Sequence, residues 1–104
     1  MPQGTTYKET LILHNAGVPL GEMAQIKGVS VETIKGHIAR LIDEDMITNF
    51  ASYISRSEYE TINDLYRTNP EGAAKILSED YPGGTIRIAR AIYNYNQRRK
   101  QDNG

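Results

Sequence analysis

Leu20-Gly-Glu-Met-Ala-Gln-Ile-Lys-Gly-Val-Ser-Val-Glu-Thr-Ile-Lys-Gly-His-Ile-Ala-Arg-Leu-Ile42 reads as two short amphipathic helices joined by a tight turn. Pro19 sits where a first-turn proline is tolerated. Leu20, Met23, Ala24 and Ile26 supply the buried side of the first helix. Ala24 is small where the two helices cross, so their backbones can approach. Gly28 reaches the left-handed conformation without steric cost and lets the chain turn sharply. Val29 plugs the turn into the core, and Ser30 caps the second helix. Ile34, Ile38, Leu41 and Ile42 recur at helical spacing and hold that helix against the first. Ser30, Glu32, Thr33, Lys35, Gly36 and Arg40 are left pointing outward.

On the N-terminal side, residues 1–5 read as a disordered leader. Thr6 and Glu9 have the spacing of a capping box, so a helix starts at Tyr7, with Tyr7, Leu11 and Ile12 on its apolar face and Gly17 as its stop. On the C-terminal side, the acids Asp43 to Asp45 oppose the helix macrodipole, and the helix is expected to fray before Met46. Residues 47–54 fit either a short extended segment or a connector. Ser55 with Glu58, or Ser57 with Glu60, caps a fourth helix carrying Tyr59, Ile62, Leu65 and Tyr66. Asn69-Pro70 opens a fifth helix to about Glu79, burying Ala73, Ile76 and Leu77. Pro82-Gly83-Gly84 is a turn, and Thr85 caps a sixth helix with Ile86, Ile88, Ala89, Ile92, Tyr93 and Tyr95. The fold class is all-α: a winged-helix-like three-helix core built on the helix-turn-helix, followed by about three further helices. One domain covers residues 6–96, and residues 97–104 are a polar basic tail.

Composition narrows the function. The net charge is −1, so any affinity for phosphate must come from local patches. One such patch lies between Thr85 and Lys100, where Arg87, Arg90, Arg98, Arg99 and Lys100 stand without an acid. Arg87, Arg90, Asn94 and Arg98 share one helical face, a second phosphate-binding surface or the solvated side of an amphipathic helix. There is no cysteine, and His14 and His37 are too few and too isolated for a metal centre. His37 reads as a packed, half-buried side chain. Tyr53, Tyr59, Tyr66, Tyr81, Tyr93 and Tyr95 read as half-buried core with the hydroxyl in water. No apolar run is long enough to span a bilayer. No nucleophile motif, carboxylate pair or phosphate loop is evident, so neither catalysis nor a cofactor is expected.

A second helix presented this way can enter the major groove, with its N-terminal residues near base edges and its N–H groups near phosphate. The expected DNA contacts are Lys27, Ser30, Glu32, Thr33, Lys35, Gly36 and Arg40. Lys27 and Lys35 would neutralise charge, Ser30 would take phosphate, and Glu32 with Thr33 would face base edges. The plain alternative is a helical hairpin whose Gly28 and Ser30 are ordinary caps, with Arg40 paired to Glu44 at i+4.

Thr6-Tyr7-Lys8-Glu9-Thr10-Leu11, then Gly17, Met23-Ala24, Lys27-Gly28-Val29-Ser30, Thr33-Ile34, His37-Ile38 and Leu41, resembles the helicase helix-turn-helix domain. That domain occurs near the C-terminus of RecQ-type helicases and in related proteins. The resemblance covers roughly residues 6–95 and is strongest up to Leu41. It implies an accessory duplex-binding domain, excised or free-standing, with a helicase motor in the same or another chain, located in the cytoplasm at the nucleoid. The same half-motif is similar to that of many bacterial transcription regulators. Glu32 and Gly36 depart from the more basic or bulkier residues that would give firmer contacts, so sequence specificity is expected to be weak. Two further readings stay open: a protein-interaction or dimerisation module keeping the motif as scaffold, and a small dimeric transcription regulator.

Overall fold

The computed structural model describes residues 7–103, with side chains to residue 101. It is all-helical, in the order α1 (Tyr7–Asn15), α2 (Leu20–Lys27), α3 (Val31–Asp43), α4 (Arg56–Thr68), α5 (Ala73–Leu77) and α6 (Gly83–Asn103). There is no strand among the described residues, so they contain no wing. The expected leader and the Thr6 cap lie outside the described residues.

α2, the turn and α3 form as their residues dictate. Gly28 closes α2 at φ 69, and its N–H reaches the Ala24 and Gln25 carbonyls. The Ser30 hydroxyl accepts the Thr33 N–H and caps α3. Met23, Ile34, Ile38, Leu41 and Ile42 are fully buried. α3 is the central element, packing on α1, α2 and, most extensively, α6. Ile26 departs from expectation: it lies 62% exposed, because Met23 and Ala24 form the buried side of α2.

α3 stops where its acids begin. The Met46 N–H returns to the Leu41 carbonyl and the Asp45 N–H to that of Ile42, a Schellman arrangement with Asp45 at φ 62 in the position glycine usually takes. Residues 46–54 then form an irregular connector ending in turns rather than an extended segment. Ile47, Tyr53 and Ile54 anchor it in the core.

α4 opens with the Ser55–Glu58 capping box, both halves of which are made. α5 is shorter than its sequence suggests. Asn69 folds residues 70–72 into a turn, with its side chain accepting the Gly72 N–H, and the helix begins only at Ala73. One turn of helix buries Ala73 and Leu77 and leaves Ile76 46% exposed.

α6 differs most from its sequence reading. Gly83 and Gly84 form its first turn instead of a preceding loop, and the helix continues through the polar tail to Asn103. The tail is helical because Arg98 fastens it: its Nη2 donates to the Ile42 carbonyl at 3.1 Å and to Asp45 at 2.8 Å. This places a cation at the C-terminal dipole of α3. Contacts from Gly84 to Glu32 at one end and from Arg98 to Ile42 at the other show that α6 lies along α3 in the same direction.

Candidate nucleic-acid interface

Long-range packing reassigns much of the outward face expected for α3. The Glu32 carboxylate accepts the Gly84 N–H at 2.7 Å, which makes it an anion at the N-terminus of α6. Lys35 Nζ donates to the Thr85 hydroxyl at 2.9 Å and sits 3.6 Å from Glu32, with its side chain only 14% exposed. Thr85 thus receives Lys35 instead of capping its own helix. Lys27 is bonded to Glu9 at 3.2 Å, and its side chain is 3% exposed. Lys27 ties α2 to α1, and Glu32 and Lys35 tie α3 to α6.

Val31, Glu32 and Asp43 are exposed on α3 too, and Ser30, Thr33 and Arg40 form one exposed strip, with Gly36 half-buried between them. Ser30 and Thr33 share a hydroxyl hydrogen bond of 3.0 Å. Arg40 lies 4.1 Å over the Tyr7 ring and donates to Glu44 at 3.1 Å. The Glu44 bond pushes Arg40's pKa upward. An exposed pair of this kind contributes little to stability, so Arg40 can exchange Glu44 for a phosphate at small cost.

α6 adds a residue to this strip. The exposed Arg87 lies across α3 beside Gly36, where a Cβ would stand 3.5 Å from its Nη1. A groove of about 380 Å³ between the helices is floored by Gly36, Ala39 and Ala91, with Arg40, Arg87 and Arg90 at its sides. The second basic patch is therefore not one face. Arg87 joins the α3 strip, while Arg90 stacks on Tyr66 and Tyr93 and donates to Asn63 at 2.8 Å. Arg98 caps α3 at the far end. Asn63, in turn, ties α4 to α6 through the Ala89 carbonyl.

Both histidines fasten α1. His37 Nδ1 meets the buried Thr10 hydroxyl at 2.8 Å, and His14 Nδ1 meets the Tyr53 hydroxyl. Burial lowers the pKa of both, and Lys27 and Arg40 lower that of His37 further. The unfolded chain therefore takes up protons more readily than the fold. Their contribution is intact above the ordinary histidine value and is lost as pH falls from about 6.5 toward the lowered values. Urea unfolding is expected to shift to lower midpoints between about pH 7.5 and pH 5.5, and the His14→Gln, His37→Gln chain is expected to show a flatter profile across that window.

Tyr53 and Tyr95 are buried rather than half-buried, whereas the other tyrosines named above are half-buried. No helix of the described residues is long and apolar enough to cross a membrane.

Compared with known protein families, residues 6–90 match a helix-turn-helix domain. The chain belongs to the helix-turn-helix domain family. Comparison with curated proteins and with solved structures gives no match. In this helix-turn-helix domain, α6 is what the motif alone does not announce. It packs along one side of α3 and lays Arg87 beside Gly36, at the edge of the exposed strip.

Proposed function

We propose that this helix-turn-helix domain binds duplex DNA through the outer strip of α3 together with Arg87. The observation that carries the reading is the alignment of Ser30, Thr33, Gly36 and Arg40 on the open side of α3, with the Arg87 guanidinium laid beside them. Two hydroxyls at the N-terminus of α3 and two arginines further along it suit phosphate and groove edges. Lys27, Glu32 and Lys35 act in this reading as framework, not as contacts. Affinity is modest and strongly salt-dependent, and sequence discrimination is weak, because no side chain on the strip is free to make a bidentate contact with a base without leaving a partner or the backbone phosphates.

The Arg40→Ala, Arg87→Ala chain tests this. In fluorescence anisotropy with a labelled duplex, its affinity at low salt is expected to fall at least about tenfold. The log–log salt slope is expected to flatten by roughly one per arginine removed. Unchanged affinity with the fold intact overturns the reading.

The finer role supported by the sequence resemblance is that of a non-catalytic, cytoplasmic accessory domain working beside a RecQ-type helicase motor. Stimulation of such a motor's unwinding by this chain, and loss of that stimulation in the same double variant, tests it. A second reading has one observation in its favour. Ile12 and Ile26 are 66% and 62% exposed and line a cleft of about 290 Å³ between α1 and α2. Exposed isoleucines so placed suit protein contact, including the dimer that a transcription regulator requires. An apparent mass that rises with concentration and reverts in an Ile12→Ser, Ile26→Ser chain supports it, and a constant monomer mass removes the dimer.

A further inference from the structure

The connector at 46–54, the start of α4 and the second half of α6 border two open clefts that meet at Thr48. The first, about 500 Å³, is walled by Phe50, Tyr59, Ile54 and Ile92 and carries the carboxamides of Asn49 and Asn96. The second, about 450 Å³, is lined by Thr48, Tyr95, Arg98, Arg99 and Gln101, with Asp45 on its edge. We propose that together they bind a nucleoside phosphate, with the base in the first cleft and the phosphate in the second.

The first cleft offers what a base needs. Its volume falls in the range of small-ligand sites. Aromatic and aliphatic walls accept a planar ring, and carboxamides read a base edge through paired donors and acceptors. Asn96 is already oriented, since its Nδ2 donates to the Tyr59 hydroxyl at 3.2 Å. The second cleft offers what a phosphate needs. Arg99 donates to the Tyr95 hydroxyl at 2.9 Å and is otherwise exposed. Arg98 uses its Nη2 on the Ile42 carbonyl and Asp45, yet its buried Nε–H has no partner in the fold. Arg98 and Arg99 both line this cleft, and guanidinium donors make strong charge-assisted bonds to phosphate. Arg98 is paired with Asp45 and also interacts with Asp43, so Arg99 is the cation this cleft offers an anion.

This site is separate from the duplex surface. Arg98 lies eleven residues beyond Arg87, roughly 16 Å along α6, and it does not depend on the reading of α3. The ligand has two possible sources: a free mononucleotide, or the unpaired nucleotide at the end of a DNA strand.

The test is an amide NMR titration of the wild-type chain and of the Arg99→Gln and Asn96→Ala chains, each first shown to keep the wild-type fold by its spectrum. The probes are deoxyadenosine 5′-monophosphate, deoxyadenosine and inorganic phosphate. The monophosphate is expected to shift Thr48, Asn49, Asn96 and Gln101 saturably while leaving Thr33 and Arg87 still. Arg99→Gln is expected to weaken the monophosphate about tenfold and to leave deoxyadenosine unchanged, whereas Asn96→Ala weakens both. A duplex with a single-stranded overhang that displaces the monophosphate, where a blunt duplex does not, identifies a strand end. Failure of both duplexes to displace it identifies a free nucleotide. Either result supports the site. The proposal is overturned if no saturable shift occurs, if inorganic phosphate alone reproduces the full response, or if neither variant changes it. Loss of duplex binding in the Arg40→Ala, Arg87→Ala chain with the nucleotide response intact separates the two claims.

Discussion

Ile38→Ala is expected to destabilise the domain by about 3 kcal/mol and to lower its melting temperature by roughly 10–20 °C. Ile38 is fully buried in the middle of α3, one turn from Ile34 and one from Leu41 and Ile42, all equally buried. α3 is the helix on which α1, α2 and α6 all pack. Truncation therefore removes apolar contacts from the centre of the core and leaves a cavity whose walls belong to several helices and cannot close independently. Thermal unfolding followed by circular dichroism measures the loss. A change below about 1 kcal/mol contradicts the central position assigned to α3.

The second large effect is expected at the start of α6. Gly84 is buried against α3, where an added Cβ would stand 2.5 Å from Lys35 Cβ and 2.9 Å from both Lys35 Cδ and Glu32 Oε1. Lys35 Cβ is fixed by the α3 backbone and cannot swing aside. In Gly84→Ala the N-terminus of α6 must move away, taking with it the Glu32 and Lys35 hydrogen bonds. Overpacking of this kind costs about 1–3 kcal/mol, only partly offset by alanine's better helix propensity. Gly83 is the internal control, because nothing lies within 4 Å of its added Cβ. Gly83→Ala is expected to be neutral or slightly stabilising. Urea unfolding of the two variants compares them directly, and equal midpoints contradict the close approach of α6 to α3.

These two effects mark what the sequence could and could not disclose. Local chemistry was legible. Gly28 turns, Ser30 caps, Ser55 and Glu58 reciprocate, and Ile34, Ile38, Leu41 and Ile42 face inward, because each depends on residues within one or two turns. The fates of Glu32 and Lys35 were not legible. Their partners Gly84 and Thr85 lie some fifty residues away in the chain, and no local pattern on α3 marks which of its outward residues a later helix will cover. The tail misled for the opposite reason. Residues 97–103 are polar enough to resemble solvated chain, yet they contain no glycine or proline, and the Arg98 contact at the end of α3 sustains the helix. Arg87, Arg90 and Arg98 share a spacing but not a role, since that face meets the middle of α3 at Arg87, α4 at Arg90 and the end of α3 at Arg98. Ile26 and Ile76 show the limit of hydrophobic periodicity. An apolar residue on a short helix is buried only if a partner covers that azimuth, and α2 and α5 are too short to be covered all round.

Whether DNA lies on the outer strip of α3 beside Arg87 is read by an amide NMR titration with a short blunt duplex. The amides of Ser30, Thr33, Gly36, Arg40 and Arg87 are expected to shift together, and the shifts to collapse as salt is raised. Shifts confined to the α1–α2 surface around Ile12 and Ile26, or no shift at low salt, would contradict that placement.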